Sequence, residues 1–124
     1  MARLPCRRTI LLVEDDADVR EAITDILREA GREVVEAADG LSALAMLDQV
    51  QRPCLILLDL LMPAMDGLEF LQKLKSHPDA ADFGVLVLSG LDNMTAAEHY
   101  PGVVGTLRKP FDVDQLLSCV AEPA

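Results

Sequence analysis

Five short runs rich in apolar residues limit what this chain can fold into more than any other feature of its sequence. They cover residues 9–13, 33–37, 55–58, 85–88 and 103–107. Runs of this length are typical of strands that are buried on both faces of a parallel sheet. Between them, apolar residues recur at helical spacing at 17–30, 41–50, 67–76, 93–100 and after Asp112. The alternation predicts an α/β fold, a doubly wound five-stranded parallel sheet with helices on both faces.

Length and composition narrow the class of protein further. At 124 residues the chain is close to the most common domain size, so we expect a single domain with its core at about 9–120 and an N-terminal extension at 1–8. The net charge of −10 disfavours direct nucleic-acid binding, because phosphate contacts need an excess of Lys and Arg. The three cysteines lack metal-site or disulfide spacing, and no apolar run is long enough for a signal peptide or membrane span. We therefore expect a soluble, cytoplasmic protein.

Chemically capable side chains follow four of the predicted strands. Glu14 and Asp15 come after the first strand, Asp59 after the third, Ser89 after the fourth and Lys109 after the fifth. In doubly wound folds, ligands bind at the carboxyl ends of the strands, near the point where the strand order reverses. If the order is 2-1-3-4-5, the first and third strands are neighbours and the three carboxylates converge. Composition alone does not force that order.

Three carboxylates in one crevice predict either raised pKa values or a bound cation. Hard oxygen ligands favour Mg²⁺, which keeps several water positions and can therefore admit a phosphate oxygen. A carboxylate beside Mg²⁺ can act as a nucleophile towards phosphorus. In such a site Lys109 would supply a point charge to the transferred group, and the hydroxyl of Ser89 a hydrogen bond.

Taken singly, each of these residues has a simpler interpretation. The acids after the first strand would only cap the next helix, Asp59 would form an Asx-turn, Lys109 would be an exposed lysine and Ser89 a turn residue. Asp16 is in any case expected to cap the helix at 17–30. We expect the two histidines, His77 and His99, to be solvated at helix ends. Because these residues all follow predicted strands, their occurrence together favours the interpretation as a cation-binding and phosphoryl-accepting site.

The sequence resembles the receiver domain of response regulators in two-component signalling over about residues 9–120. The resemblance rests on four motifs, namely Val13-Glu14-Asp15-Asp16, Leu58-Asp59-Leu60-Leu61-Met62-Pro63 with Met65-Asp66-Gly67, Leu88-Ser89-Gly90, and Lys109-Pro110-Phe111. It implies a flavodoxin-like sheet of order 2-1-3-4-5.

The resemblance also implies a role for each site residue. Asp59 would be the phosphoacceptor, Ser89 and Lys109 would bind the phosphoryl oxygens, and the Lys109–Pro110 peptide bond would be cis. Mg²⁺ would be held by Glu14 mostly through water, by Asp15 and Asp59, and by the backbone carbonyl of Leu61. By the same resemblance the protein catalyses only its own aspartyl phosphorylation and dephosphorylation.

The partners that the resemblance implies are proteins. The phosphodonor would be a sensor histidine kinase or a histidine phosphotransfer protein. A downstream target would bind the face formed by the fourth helix, the fifth strand and the last helix. The resemblance also allows a phosphorylation-linked dimer. No direct contact with nucleic acid or membrane is expected.

Three positions depart from the family pattern. Thr106 stands where the family usually has an aromatic residue that moves on phosphorylation, so the usual aromatic readout is in question. Leu61 and Leu91 cannot hydrogen-bond a water that attacks the phosphoryl group, which predicts slow self-dephosphorylation. Two other functions stay open at this point: a phosphorylation-independent binding module with the same fold, and a hydrolase with an aspartyl nucleophile. The hydrolase is disfavoured because no spare acid or base accompanies the cluster.

Overall fold

A parallel sheet of five strands organises the fold. The computed structural model describes residues 9–50, 54–60, 67–89, 100 and 102–120. Its strands are β1 (Thr9–Val13), β2 (Val34–Ala37), β3 (Cys54–Asp59), β4 (Phe83–Ser89) and β5 (Val103–Arg108). They are arranged in the order β2-β1-β3-β4-β5, and every pair is parallel. The predicted order 2-1-3-4-5 is confirmed, and the order reverses between β1 and β3.

Four α-helices connect or follow the strands within the described residues. They are α1 (Ala17–Glu29), α2 (Gly40–Met46), α3 (Gly67–Lys75) and α4 (Val113–Val120), and a 3-10 turn at Ala80–Asp82 precedes β4. The helix α4 is the last of the five predicted helices. The predicted helix at 93–100 lies, except for Tyr100, outside the described residues. The second helix ends earlier than the predicted residue 50, because the N–H groups of Leu47 and Gln49 bond three residues back instead of four.

Aspartate side chains begin three of these helices. Asp16 accepts hydrogen bonds from the N–H groups of Asp18 and Val19, which confirms the predicted cap of α1. Asp39 caps α2 by accepting from the N–H of Ser42 at 2.8 Å. Before α4, a reciprocal pair joins Asp112 and Gln115, each side chain accepting from the other's N–H at 2.8 and 2.9 Å. These caps fix where the loops above the sheet enter their helices.

The core has two layers, one on each face of the sheet. One layer packs strand residues such as Leu11, Ile56 and Val87 against α2 and α3. The other packs alternate residues, among them Leu12 and Leu57, against α1 and α4. Every residue of β1 and of β3 is buried, whereas β2 and β5 lie at the edges and are partly exposed. The two strands that carry the predicted acids are therefore the most enclosed parts of the fold.

The histidine just after α3 is largely buried and has several partners in the fold, so the prediction that it is solvated is wrong. The His77 side chain is 15% exposed, and its Nε2 lies 3.0 Å from a carboxylate oxygen of Asp48. Its Nδ1 accepts a hydrogen bond from the N–H of Asp79, and its ring packs edge-on against Phe83 at the start of β4. Asp48 lies 29 residues before His77, and Phe83 belongs to the strand that follows, so spacing along the chain does not reveal these contacts. His99 lies outside the described residues.

The first residue of α3 approaches the end of β3 very closely. The N–H of Gly67 donates to the carbonyl of Leu60 at 2.9 Å. A Cβ at this glycine would lie 2.6 Å from both the Cα and the Cδ2 of Leu60, and 3.2 Å from the carbonyl oxygen of Asp59. Backbone atoms cannot move aside as a flexible side chain can, so this position requires the absence of a side chain.

We expect Gly67→Ala to lower the free energy of unfolding by about 1–3 kcal/mol, because the added methyl group forces the backbone of Leu60 to shift. Gly105→Ala is the matched control, since its Cβ would meet the end of the Leu86 side chain at 3.2 Å and would require that side chain, not the backbone, to shift by a few tenths of an ångström. Urea unfolding followed by circular dichroism measures both effects. Equal losses of stability for the two variants would contradict the close approach described for Gly67.

Candidate functional site

Three carboxylates meet at the carboxyl edge of the sheet. Asp59 ends β3, and Glu14 and Asp15 follow β1, its neighbour, in a register that places Val13 beside Leu58. Carboxylate oxygens of the three acids all lie within 4.8 Å of one another. Glu14 and Asp59 are 2% and 6% exposed, whereas Asp15 is open to solvent. The convergence that the strand order predicts is present in the structure.

Lys109 reaches the same cluster from the end of β5. Its Nζ lies 3.2 Å from Oε2 of Glu14 and 3.3 Å from Oδ2 of Asp59. The side chain is 31% exposed, so its ammonium group faces the carboxylates on one side and solvent on the other. The Lys109–Pro110 peptide bond is cis, as the sequence resemblance implies. A single cation thus contacts acids from two different strands.

Burial controls the electrostatics of this cluster. It raises the pKa of Glu14 to about 7, an effect that the charge of Asp59 reinforces and that the N–H of Asp16, 3.2 Å from Oε1, opposes. Burial alone would lower the pKa of Lys109, but the charges of Asp59 and Glu14 outweigh it and the net shift is upward. At neutral pH the site therefore holds the protonated Lys109 beside Glu14, an acid that is close to its own pKa.

The donor set suits a hard divalent cation. All three groups offer carboxylate oxygen, the ligand type that Mg²⁺ prefers, and the exposed side of Asp15 leaves room for the waters that Mg²⁺ keeps. Burial is the main cause of the raised pKa of Glu14, and a bound cation would favour the ionised form of this acid. Glu14, Asp15 and Asp59 therefore form a cluster able to hold a metal ion.

The other predicted site residues are described only in part. Ser89 is the last residue of β4, the strand beside β3, but its side chain lies outside the described part of the chain. Leu61 and Leu91 lie outside it altogether. Thr106 is half-buried on β5, opposite Val87 of β4.

A residue that the sequence reasoning missed lies directly behind the acids. Arg20, in the second turn of α1, donates from Nη1 to the backbone carbonyl of Glu14 at 2.8 Å. Its Nε lies 3.5 Å from Oε1 of Glu36 on β2. The available signal was a lone arginine close to the acids at 14–16, 18 and 21, but sequence alone did not indicate which acid or carbonyl it contacts.

None of the helices in the described ranges has the length and apolar character needed to cross a membrane.

We expect the metal-free protein to lose stability as pH rises from about 4.5 to about 7, because burial of Glu14 opposes its ionisation in the folded state. The unfolded chain releases this proton near pH 4.5 and the folded protein near pH 7, so the folded state binds more protons throughout the window. The loss from this one group should approach about 3 kcal/mol. Urea unfolding in EDTA at several pH values measures it.

Glu14→Gln, which cannot ionise, is the control for this titration. It should match the wild type near pH 4.5 and become the more stable protein near pH 7. If the stabilities of the two proteins stayed parallel across that window, the raised pKa of Glu14 would be wrong.

Comparison with known proteins identifies the family. A model of the response regulator receiver domain matches residues 10–121. Sporulation initiation phosphotransferase F of Bacillus subtilis is 31% identical over 111 residues, covering 90% of this chain and 89% of that protein. The DNA-binding dual master transcriptional regulator RpaA of Synechocystis is 34% identical over 119 residues, covering 90% of this chain and 46% of RpaA. The chain thus spans about half the length of RpaA and nearly all of the Bacillus protein.

Solved structures agree with the sequence matches. The chemotaxis protein CheY4 of Vibrio cholerae superposes with a TM-score of 0.83 at 29% identity, covering 92% of this chain and 96% of CheY4. Because the family model covers most of the chain and the strand order and acid cluster agree with it, this chain belongs to the response regulator receiver domain family of two-component signalling.

Proposed function

We propose that this receiver domain accepts a phosphoryl group on Asp59 in the presence of Mg²⁺ and changes its affinity for a partner protein as a result. The observation that supports the proposal is the surroundings of Asp59. Its carboxylate is nearly buried at the end of β3, lies 3.3 Å from the ammonium group of Lys109, and belongs to a cluster of three acids. A nucleophile, a cation-binding set and a fixed positive charge are the components that phosphoryl transfer needs.

In the proposed reaction, an oxygen of the ionised Asp59 attacks the phosphorus of a phosphohistidine, and the bond from phosphorus to the imidazole nitrogen breaks. Mg²⁺ would be held by Glu14, Asp15, Asp59 and the carbonyl of Leu61, and when bound it withdraws charge from the phosphoryl oxygens. Lys109 exchanges its contact with Asp59 for one with the new phosphoryl group. The hydroxyl of Ser89, at the end of the neighbouring strand, would donate to another phosphoryl oxygen.

The phosphodonor that we propose is a sensor histidine kinase or a histidine phosphotransfer protein. The match to a phosphotransferase of similar length in Bacillus subtilis supports a phosphoryl-transfer role. In this proposal the domain spans about residues 9–120, is cytoplasmic, and catalyses only its own phosphorylation and dephosphorylation. We propose no direct contact with nucleic acid, in line with the net charge of −10.

The output surface in this proposal comprises β5, α4 and the segment 93–100. Its described part exposes two apolar side chains, Val104 at 66% and Val113 at 47%, which suit contact with a protein. Lys109 follows β5 directly, so a change in its contacts on phosphorylation is transmitted to this strand. A downstream target or a second phosphorylated copy would bind here. Thr106, in place of the usual aromatic, favours the alternative of a phosphorylation-independent module.

We expect the purified protein, incubated with acetyl phosphate and Mg²⁺, to gain the mass of one phosphoryl group in an acid-stable, base-labile linkage at Asp59. Asp59→Asn should abolish the adduct, because an amide is not a nucleophile towards phosphorus. Asp25→Asn, the same change on the exposed face of α1, should leave it intact. Intact-protein and peptide mass spectrometry provide the measurement. A wild type that gains no adduct supports the phosphorylation-independent module, and sustained release of phosphate supports a hydrolase.

We expect self-dephosphorylation to be slow, and Leu61→Asn to speed it about fivefold, the effect of one hydrogen bond of about 1 kcal/mol to the attacking water. Leu41→Asn, on the exposed face of α2, is the control and should leave the rate unchanged. Loss of the phosphoryl group is timed by mass spectrometry after removal of acetyl phosphate. A wild type as fast as the Leu61 variant would overturn this prediction.

A further inference from the structure

The guanidinium group of Arg20 connects three elements behind the acid cluster. It lies in α1, donates from Nη1 to the carbonyl that follows the last residue of β1, and pairs through Nε with Glu36 of β2. The side chain is 20% exposed, so its charge is partly withdrawn from water. None of its contacts is with a carboxylate of the cluster, so it does not neutralise the acids through a direct ion pair.

The carbonyl that Arg20 binds belongs to Glu14 and shares one peptide plane with the N–H of Asp15. The other side of Glu14 is fixed as well, because its N–H donates to the carbonyl of Ala37 on β2 at 3.1 Å. Strand β1 ends at Val13, so beyond the N–H of Glu14 the chain leaves the sheet. Arg20 therefore sets the orientation of the peptide that joins two of the three clustered acids.

Glu36 makes that orientation specific. It lies on β2 beside Leu12 of β1, and its Oε1 is 3.5 Å from Nε of Arg20. A guanidinium group is planar and rigid, so an acid at Nε leaves Nη1 aimed in one direction, here at the carbonyl of Glu14. A lysine carries the same charge but cannot make both contacts from one rigid plane.

We propose that Arg20 is a positioning residue for the cation site: by holding the Glu14–Asp15 peptide, it keeps the carboxylates of these residues at the separation that a divalent ion requires. This inference rests on the proposed Mg²⁺ site. Groups that orient metal ligands commonly contribute tenfold or more to metal affinity.

Simple electrostatics leads to the opposite expectation. Arg20 is a cation close to a cation-binding site, so removing its charge would strengthen the attraction of Mg²⁺ to the acids. If Arg20 acted only through its charge, Arg20→Met would bind Mg²⁺ more tightly. If it acts by positioning, the same variant binds Mg²⁺ more weakly. The sign of the change separates the two roles.

The test is isothermal titration of Mg²⁺ into the full chain. We expect Arg20→Met to raise the Mg²⁺ dissociation constant about tenfold. Arg20→Lys, which keeps the charge but not the paired contacts, should raise it by a smaller factor. Arg28→Met is the matched control: Arg28 lies in the same helix and donates to the carbonyl of Val34 at 3.0 Å, at the end of the sheet opposite the acids. It should leave the dissociation constant unchanged.

Thermal unfolding in EDTA accompanies each titration, so that a loss of metal affinity is compared with any loss of stability. Similar destabilisation by Arg20→Met and Arg28→Met, with weaker Mg²⁺ binding in the first alone, supports the positioning role. Unchanged or tighter binding by Arg20→Met, or binding weakened equally by Arg28→Met, overturns it. If Arg20→Met does not fold, unchanged affinity in Arg20→Lys overturns it instead. A wild type that binds no Mg²⁺ overturns the metal site itself, which is a separate failure.

Discussion

Like charges held close together at the end of two buried strands are the constraint on which the rest of this structure depends. Strands β1 and β3 are enclosed along their whole length, and each leads into an acid that is itself almost fully buried. Buried carboxylates repel each other and lose hydration. The chain must therefore surround them with groups that offset the negative charge without filling the space between them.

Those groups come from the end of β5 and from the start of α1. Lys109 arrives from β5 and contacts both buried acids, while the N–H of Asp16, at the start of α1, donates to Glu14. Arg20 holds the backbone behind them. These contacts do not outweigh the effect of burial, which raises the pKa of Glu14 to about 7. A further cation at the cluster would favour the ionised form of this acid, which links the energetics of the fold to the proposed chemistry.

The sequence predicts those features that local pattern determines. Short apolar runs predict the five strands, and the acids placed directly after them identify the candidate site. This works because β1 and β3 are buried along their whole length, so the first polar residues mark where each strand ends. The contacts of Arg20 and His77 could not be predicted in this way. Arg20 has many acids within reach in the sequence, and His77 depends on Asp48, 29 residues earlier. Such pairings are decided by tertiary packing, which spacing along the chain does not encode.

The contacts of Lys109 also bear on the order in which the molecule can be assembled. Its partners Glu14 and Asp59 lie 95 and 50 residues earlier in the chain, and β5 is the outermost strand on its side of the sheet. Closing such long loops has an entropic cost that only the completed sheet offsets. During synthesis the acids are made first and their cation last. A nascent or truncated chain therefore carries the acids without the lysine, and the proposed phosphoryl-accepting site is complete only once folding is.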